Sequence, residues 1–295
     1  MPTRWPRWPN ARTGSVREFA LQTRSGEMRG LRNDRVGAPR VLALHGWLDN
    51  AASFVPLAPY LDDVDLVAID LPGHGRSAHL APGVDYSFAY ALHSVLDAAD
   101  ALGWQRFALL GHSMGAGIGS LVAAGCPQRI ERGVFIEALG ALAEVPERTV
   151  ERMREAVAAT RALPGKTLRV FPELAPAIQA RMRANNLSEP VARLLVERGT
   201  VAVDGGYVWS SDPRLTLPTM TRMTEPQIRN LVAGIECPAK VVFADPAQPY
   251  LPDALRRGRV ALMPHGELIV LRGGHHLHME QPQDVAEAIG DFFLA

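Results

Sequence analysis

The pentapeptide Gly111-His112-Ser113-Met114-Gly115 constrains this chain more than any other feature, because it joins an apolar run to a helical segment. Phe107 to Leu110 reads as a buried strand and Met114 to Ala124 as a helix, so Ser113 falls on a sharp strand-to-helix turn. A serine on such a turn adopts strained backbone angles. Bulk two residues to either side would clash, so glycine is wanted at both places.

The surrounding rhythm fits a βα chain with a largely parallel sheet. Val16 to Leu21 and Met28 to Leu31 form an opening antiparallel pair, and Val41 to Leu44 and Leu66 to Ile69 are buried strands. A helix carries Phe88, Leu92, Val95, Leu96, Ala99 and Leu102 on one face, and Val134 to Ile136 is a strand ending at Glu137. From 140 to 234 the pattern turns mostly helical. Val150, Met153 and Val157 share a helical face there, helices open at Ser188 and Thr224, and a hairpin spans Val201 to Trp209. Strands return at Lys240 to Ala244 and Leu268 to Leu271, and a closing helix starts at Pro282 with Val285, Ile289, Phe292 and Phe293 facing inward. The chain therefore divides into an arm (1–14), a core (15–139 and 235–295) and a helical cap (140–234).

Composition narrows the function classes. The 295 residues are 47% hydrophobic and 21% charged, with 31 Lys plus Arg against 31 Asp plus Glu. That balance leaves no basic excess to neutralise phosphates, which argues against nucleic acid as a partner. No run approaches the roughly 20 apolar residues of a membrane span. The Arg/Trp/Pro-rich start lacks the apolar stretch of a secretory signal. Cys126 and Cys237 cannot make a disulfide framework or a multi-cysteine metal site, and they suit a reducing, cytoplasmic compartment.

A serine hydroxyl is a poor nucleophile until an oriented base takes its proton. His275 sits in the loop after the last expected strand, at the sheet edge where Ser113 emerges, and is the expected base; His276 and His278 are its competitors. Adjacent histidines such as His275 and His276 point apart, so this trio is not read as a metal site. The developing oxyanion needs backbone N–H donors. Met114, just after the serine at a helix N-terminus, is one, and Trp47, after His45-Gly46, is the other. Gly115-x-Gly117-x-Gly119 lacks the dinucleotide spacing, and Gly165-Lys166-Thr167 lacks the first glycine of a phosphate loop, so no cofactor is expected.

At His45-Gly46-Trp47-Leu48-Asp49-Asn50, Asp70 to Ser77, Gly111 to Gly115, Leu195 to Thr200 and Gly274 to Pro282, the chain resembles the serine hydrolase-like group of the α/β-hydrolase superfamily. The likeness runs from about residue 25 to the C-terminus. It implies an α/β-hydrolase fold, an eight-stranded, mostly parallel sheet with a helical cap inserted after strand six, with nucleophile Ser113 and base His275. The usual acid of the superfamily follows strand seven, at about Ala247, where this chain has Asp245 two residues early. Glu137, at the tip of strand six, is the alternative, as in the similar haloalkane dehalogenases. A carboxylate ending the apolar run Val134-Phe135-Ile136 needs a buried partner, and a histidine N–H would supply it. Glu137 is therefore the preferred acid. Asp70, Asp49 and Asn50 read as loop-ordering residues. The expected activity is cleavage of an ester-like bond in a small molecule of modest hydrophobicity, from Met182, Leu187, Tyr207 and Trp209. A transferase or perhydrolase with the same triad, or a non-catalytic binding protein on the same fold, are the rival readings.

Overall fold

Eight strands pair into one sheet in the computed structural model, which describes residues 16–163 and 168–295. The arm at 1–14 and the Gly165-Lys166-Thr167 motif lie outside the described residues. Strands β1 (Arg17–Thr23) and β2 (Gly26–Arg32) form the opening antiparallel pair. Then come β3 (Arg40–Leu44), β4 (Asp65–Ile69), helix α1 (Phe88–Ala101), β5 (Phe107–His112), α2 (Met114–Gly125) and β6 (Ile130–Ile136). Between β6 and the next sheet strand lie α3 (Thr149–Ala162), α4 (Leu174–Asn185), α5 (Glu189–Arg198), the hairpin β7 (Thr200–Val203) with β8 (Gly206–Trp209), and α6 (Glu225–Ala233). The sheet then resumes with β9 (Ala239–Asp245), α7 (Asp253–Val260), β10 (Gly266–Arg272), α8 (Leu277–Glu280) and α9 (Pro282–Ile289).

The spatial order is β1-β2-β4-β3-β5-β6-β9-β10, and β2 pairs antiparallel with both its neighbours while β4 to β10 run parallel. Parallel strands bury both faces. Along β5, Phe107 and Leu109 enter the apolar cluster on one side, with α1 and α2, while Ala108 and Leu110 enter the cluster on the other, with α9. Because the central strands run the same way, their carboxyl ends deliver His45, Asp70, Ser113, Glu137 and the loop after β10 to one edge of the sheet.

The insertion differs from its sequence reading in three ways. The shared apolar face of α3 is turned to solvent: Val150, Met153 and Val157 are exposed, and Arg152 and Ala156 take the buried side. Arg152 pairs there with Glu144, so an ion pair occupies the buried side of the helix. Helix α4, Leu174–Asn185, carries too little apolar periodicity to be read from sequence. The third difference concerns α6, which adds Ile228 and Val232 to the cluster beneath α2, whereas Phe171, Ile178, Leu187, Val191 and Leu195 build a separate small core. Part of the 140–234 segment thus packs with the sheet. No helix among the described residues is long and apolar enough to cross a membrane.

Candidate active site

Ser113 occupies the position between β5 and α2 with φ 51° and ψ −116°, a strained conformation for a residue with a side chain. The two glycines are there because backbones meet. A Cβ on Gly115 would lie 2.0 Å from the Leu44 carbonyl oxygen, and one on Gly111 would lie 2.5 Å from Cα of Ala116. The Ser113 N–H is held by the Ile136 carbonyl at 2.8 Å, so β6 fixes the turn from the far side. Met114 is the first helical residue, and its N–H has no acceptor within the helix.

The loop after β10 brings the His275 ring against this turn. Its Nε2 lies 2.8 Å from Ser113 Oγ, and its Nδ1 lies 3.0 Å from Glu137 Oε2. With Nδ1–H donating to the carboxylate, Nε2 keeps its lone pair and accepts a hydrogen bond from the serine hydroxyl. Glu137 itself stands at φ 61°, and its side chain is fully buried. The other carboxylate oxygen accepts from the Ala244 N–H at 2.6 Å, across the β6–β9 junction.

Asp245 does not reach this network. It ends β9 exposed, and its carbonyl accepts from the Gly273 N–H at 3.1 Å. Arg256 of α7 approaches Glu137 instead. The guanidinium is 3% exposed, donates to the Ala244 carbonyl at 2.7 Å, stacks 4.5 Å over the Phe243 ring and lies 3.8 Å from Glu137 Oε1. A buried positive charge at that range favours the anion its neighbour carries. The Tyr250 hydroxyl is raised above the usual phenol range, by burial and then by the Glu137 charge.

Trp47 lies in a tight turn in which the Asp49 N–H donates to the Gly46 carbonyl at 3.1 Å and Leu48 adopts φ 57°. Its indole N–H donates to the Leu215 carbonyl at 2.9 Å, so the ring is tied to the insertion. Asp70 accepts from the N–H groups of Ala51 and Arg76 and from Arg198, which matches its expected ordering role. The competing histidines lie deeper. His278 shares a 2.7 Å hydrogen bond with Ser53, and burial drives its ring well below the usual histidine range.

Asp49, His112 and His276 bring three potential ligand atoms within 4.8 Å of one another. This trio differs from the adjacent histidines weighed in the sequence. Asp49 is already neutralised by the guanidinium of Arg181, and His276 Nε2 lies 3.2 Å from its Oδ2, so the donor set is spent on an internal ion pair. Burial opposes the Asp49 anion, but the charge of Arg181, first among the opposing causes, helps to hold its carboxyl well below the usual range.

A groove of about 580 Å³ opens beside His275. Its walls are polar: Arg183, Asn185 and Asn186 from the end of α4, Gln248 and Tyr250 after β9, and Glu280. The apolar residues from which a hydrophobic substrate was inferred are elsewhere. Met182, Leu187 and Trp209 pack in the insertion's own small core, and Tyr207 exchanges backbone hydrogen bonds with Phe171. Arg256 and Arg181 were invisible in the sequence, because a buried arginine has no local signature. Their nearest signal is a carboxylate expected to be buried and in need of a partner.

Known proteins share this arrangement of chain. The family described as "alpha/beta hydrolase fold" matches residues 39–174. "Serine hydrolase-like protein" of Danio rerio is 30% identical over 286 residues, 93% of this chain and 87% of that protein. "Serine hydrolase-like protein 2" of Homo sapiens is 30% identical over 306 residues, 96% of each. The crystal structure of a hypothetical protein from Pseudomonas aeruginosa PAO1 superposes with a TM-score of 0.89 at 39% identity, over 94% of this chain and 99% of that one.

Proposed function

The chain belongs to the serine hydrolase-like group of the α/β hydrolases, and from that premise we propose that it cleaves a carboxylic ester-like bond of a small molecule through an acyl-enzyme on Ser113. The observation that carries the proposal is the continuous chain from Ser113 Oγ through both nitrogens of His275 to the buried carboxylate of Glu137.

In this reading Ser113 Oγ attacks the carbonyl carbon while its proton passes to His275 Nε2. Glu137 stays ionised, orients the ring and stabilises the imidazolium. The N–H groups of Trp47 and Met114 receive the oxyanion, the latter aided by the positive end of α2. Collapse of the tetrahedral species breaks the bond to the leaving oxygen, which takes the proton from His275. Water then attacks the acyl carbon with His275 again as base, and the carboxylic acid departs. The polar groove beside His275 supports a route by which substrate or water approaches the base.

A fluorophosphonate probe tests the proposal. Native protein is expected to be labelled and Ser113→Ala is not. Absence of labelling, or equal labelling of both, overturns it. Product analysis with a competing alcohol or peroxide then assigns the acyl acceptor.

A further inference from the structure

One carboxylate joins the oxyanion loop, the Ser113 turn, the His275 loop and α4 of the insertion. Asp49 is 2% exposed and lies two residues beyond Trp47, on the loop given the oxyanion role. Its Oδ2 accepts from Nε2 of His276, the neighbour of His275, at 3.2 Å. The same oxygen is 3.6 Å from Nδ1 of His112, the residue before Ser113. Its Oδ1 accepts from the guanidinium of Arg181, on α4 of the insertion.

The proton positions make Arg181 the decisive member. A backbone carbonyl only accepts, so His112 Nε2, 2.8 Å from the His275 carbonyl, carries the hydrogen. Burial pushes the His112 ring down to about 4, so it is neutral at pH 7 and Nδ1 is a bare lone pair. That lone pair faces the Asp49 carboxylate. Two acceptors turned toward each other in a dry interior repel, and the charge of Arg181 offsets that repulsion. Without it, Asp49 must take up a proton or swing away, dragging the oxyanion loop and releasing His276. Flanking hydrogen bonds tie the same loop to the insertion: Trp47 Nε1 donates to Leu215 and Asn50 Nδ2 to Leu195, each at 2.9 Å.

We propose that Arg181 is a positioning residue whose pairing with Asp49 seats the Trp47 loop and the His275 loop together, so the catalytic geometry assembles only with α4 docked. This inference rests on the serine hydrolase reading above. It is tested by the second-order rate of fluorophosphonate labelling, and by kcat and KM on a p-nitrophenyl ester, for wild type, Arg181→Met and Arg181→Lys. Misplacing reacting groups by an ångström costs on the order of 100-fold, so Arg181→Met should lose about 30-fold in labelling rate and kcat with KM nearly unchanged. Arg181→Lys should recover most of that loss. If Arg181→Met is insoluble, Arg181→Gln, which keeps a donor but loses the charge that offsets the repulsion, should show the same kcat loss. Wild-type labelling with an unaffected Arg181→Met or Arg181→Gln overturns this inference alone, as does a change confined to KM. An unlabelled wild type overturns the serine hydrolase reading and this inference with it.

Discussion

Glu137→Gln changes two atoms' chemistry and almost no shape, and the surroundings dictate its effect. The Ala244 N–H, 2.6 Å from Oε1, can only donate, so it holds the amide oxygen of the new side chain. The amide nitrogen is then left facing His275 Nδ1, where the carboxylate oxygen lies at 3.0 Å. Two donors cannot share that contact, so the imidazole hydrogen moves to Nε2, which points at Ser113 Oγ from 2.8 Å. The base has then lost its lone pair. Trapping a triad histidine in the wrong tautomer lowers kcat on the order of 10⁴-fold, about 5.5 kcal/mol of barrier. Steady-state hydrolysis of a chromogenic ester measures this directly, and far-UV circular dichroism shows whether the variant stays folded. Asp245→Asn serves as the control and should remain within about twofold of wild type, as expected of an exposed substitution. A folded Glu137→Gln within tenfold of wild-type kcat contradicts this chain of contacts, and a collapse of activity in Asp245→Asn would transfer the acid role to that residue.

Groups around the site set further expectations. Arg256→Met should keep the stacking on Phe243 but strip Glu137 of its cationic neighbour, lowering kcat by about tenfold on the scale of one lost charge contact; unchanged turnover in a folded variant would mean that Arg256 only packs. Protein stability should fall on acidification between pH 6.5 and about 4, because His112 titrates at 6.5 when unfolded and about 4 when folded. In that window the unfolded chain binds the proton and the folded one does not, a loss of about 3 kcal/mol from this ring by pH 4; denaturant midpoints measured at pH 7, 6, 5 and 4 should decline, and a His112→Asn variant should show a shallower decline. Cys237 is 8% exposed and burial raises its thiol to about 11, so Ellman's reagent should modify Cys126 in the native protein and reach Cys237 only on unfolding. Rapid modification of both thiols would contradict this packing.

Features whose physical cause is local were legible in the amino-acid sequence. A strained turn demands glycines two residues to either side of its serine, buried strands demand apolar runs, and loops at strand ends advertise themselves by abrupt changes of pattern. Ser113, His275 and the Trp47 and Met114 amides all sit at such places, and the sheet order carries them to one edge. The need of a buried carboxylate for a partner favours Glu137 over Asp245 in the sequence, but only the packing of the folded chain decides which of the two meets the imidazole. Glu137 follows and Asp245 ends strands that are neighbours in space, although Glu137 and the Ala244 N–H that it holds are 107 positions apart in the chain, and the parallel register aims one side chain inward and leaves the other in solvent. The same holds for Arg256 behind Glu137 and Arg181 behind Asp49, and for the α3 stripe that turned outward. Long-range pairing of buried charges depends on which helix docks where, and that free energy belongs to the packed assembly rather than to any window of the chain.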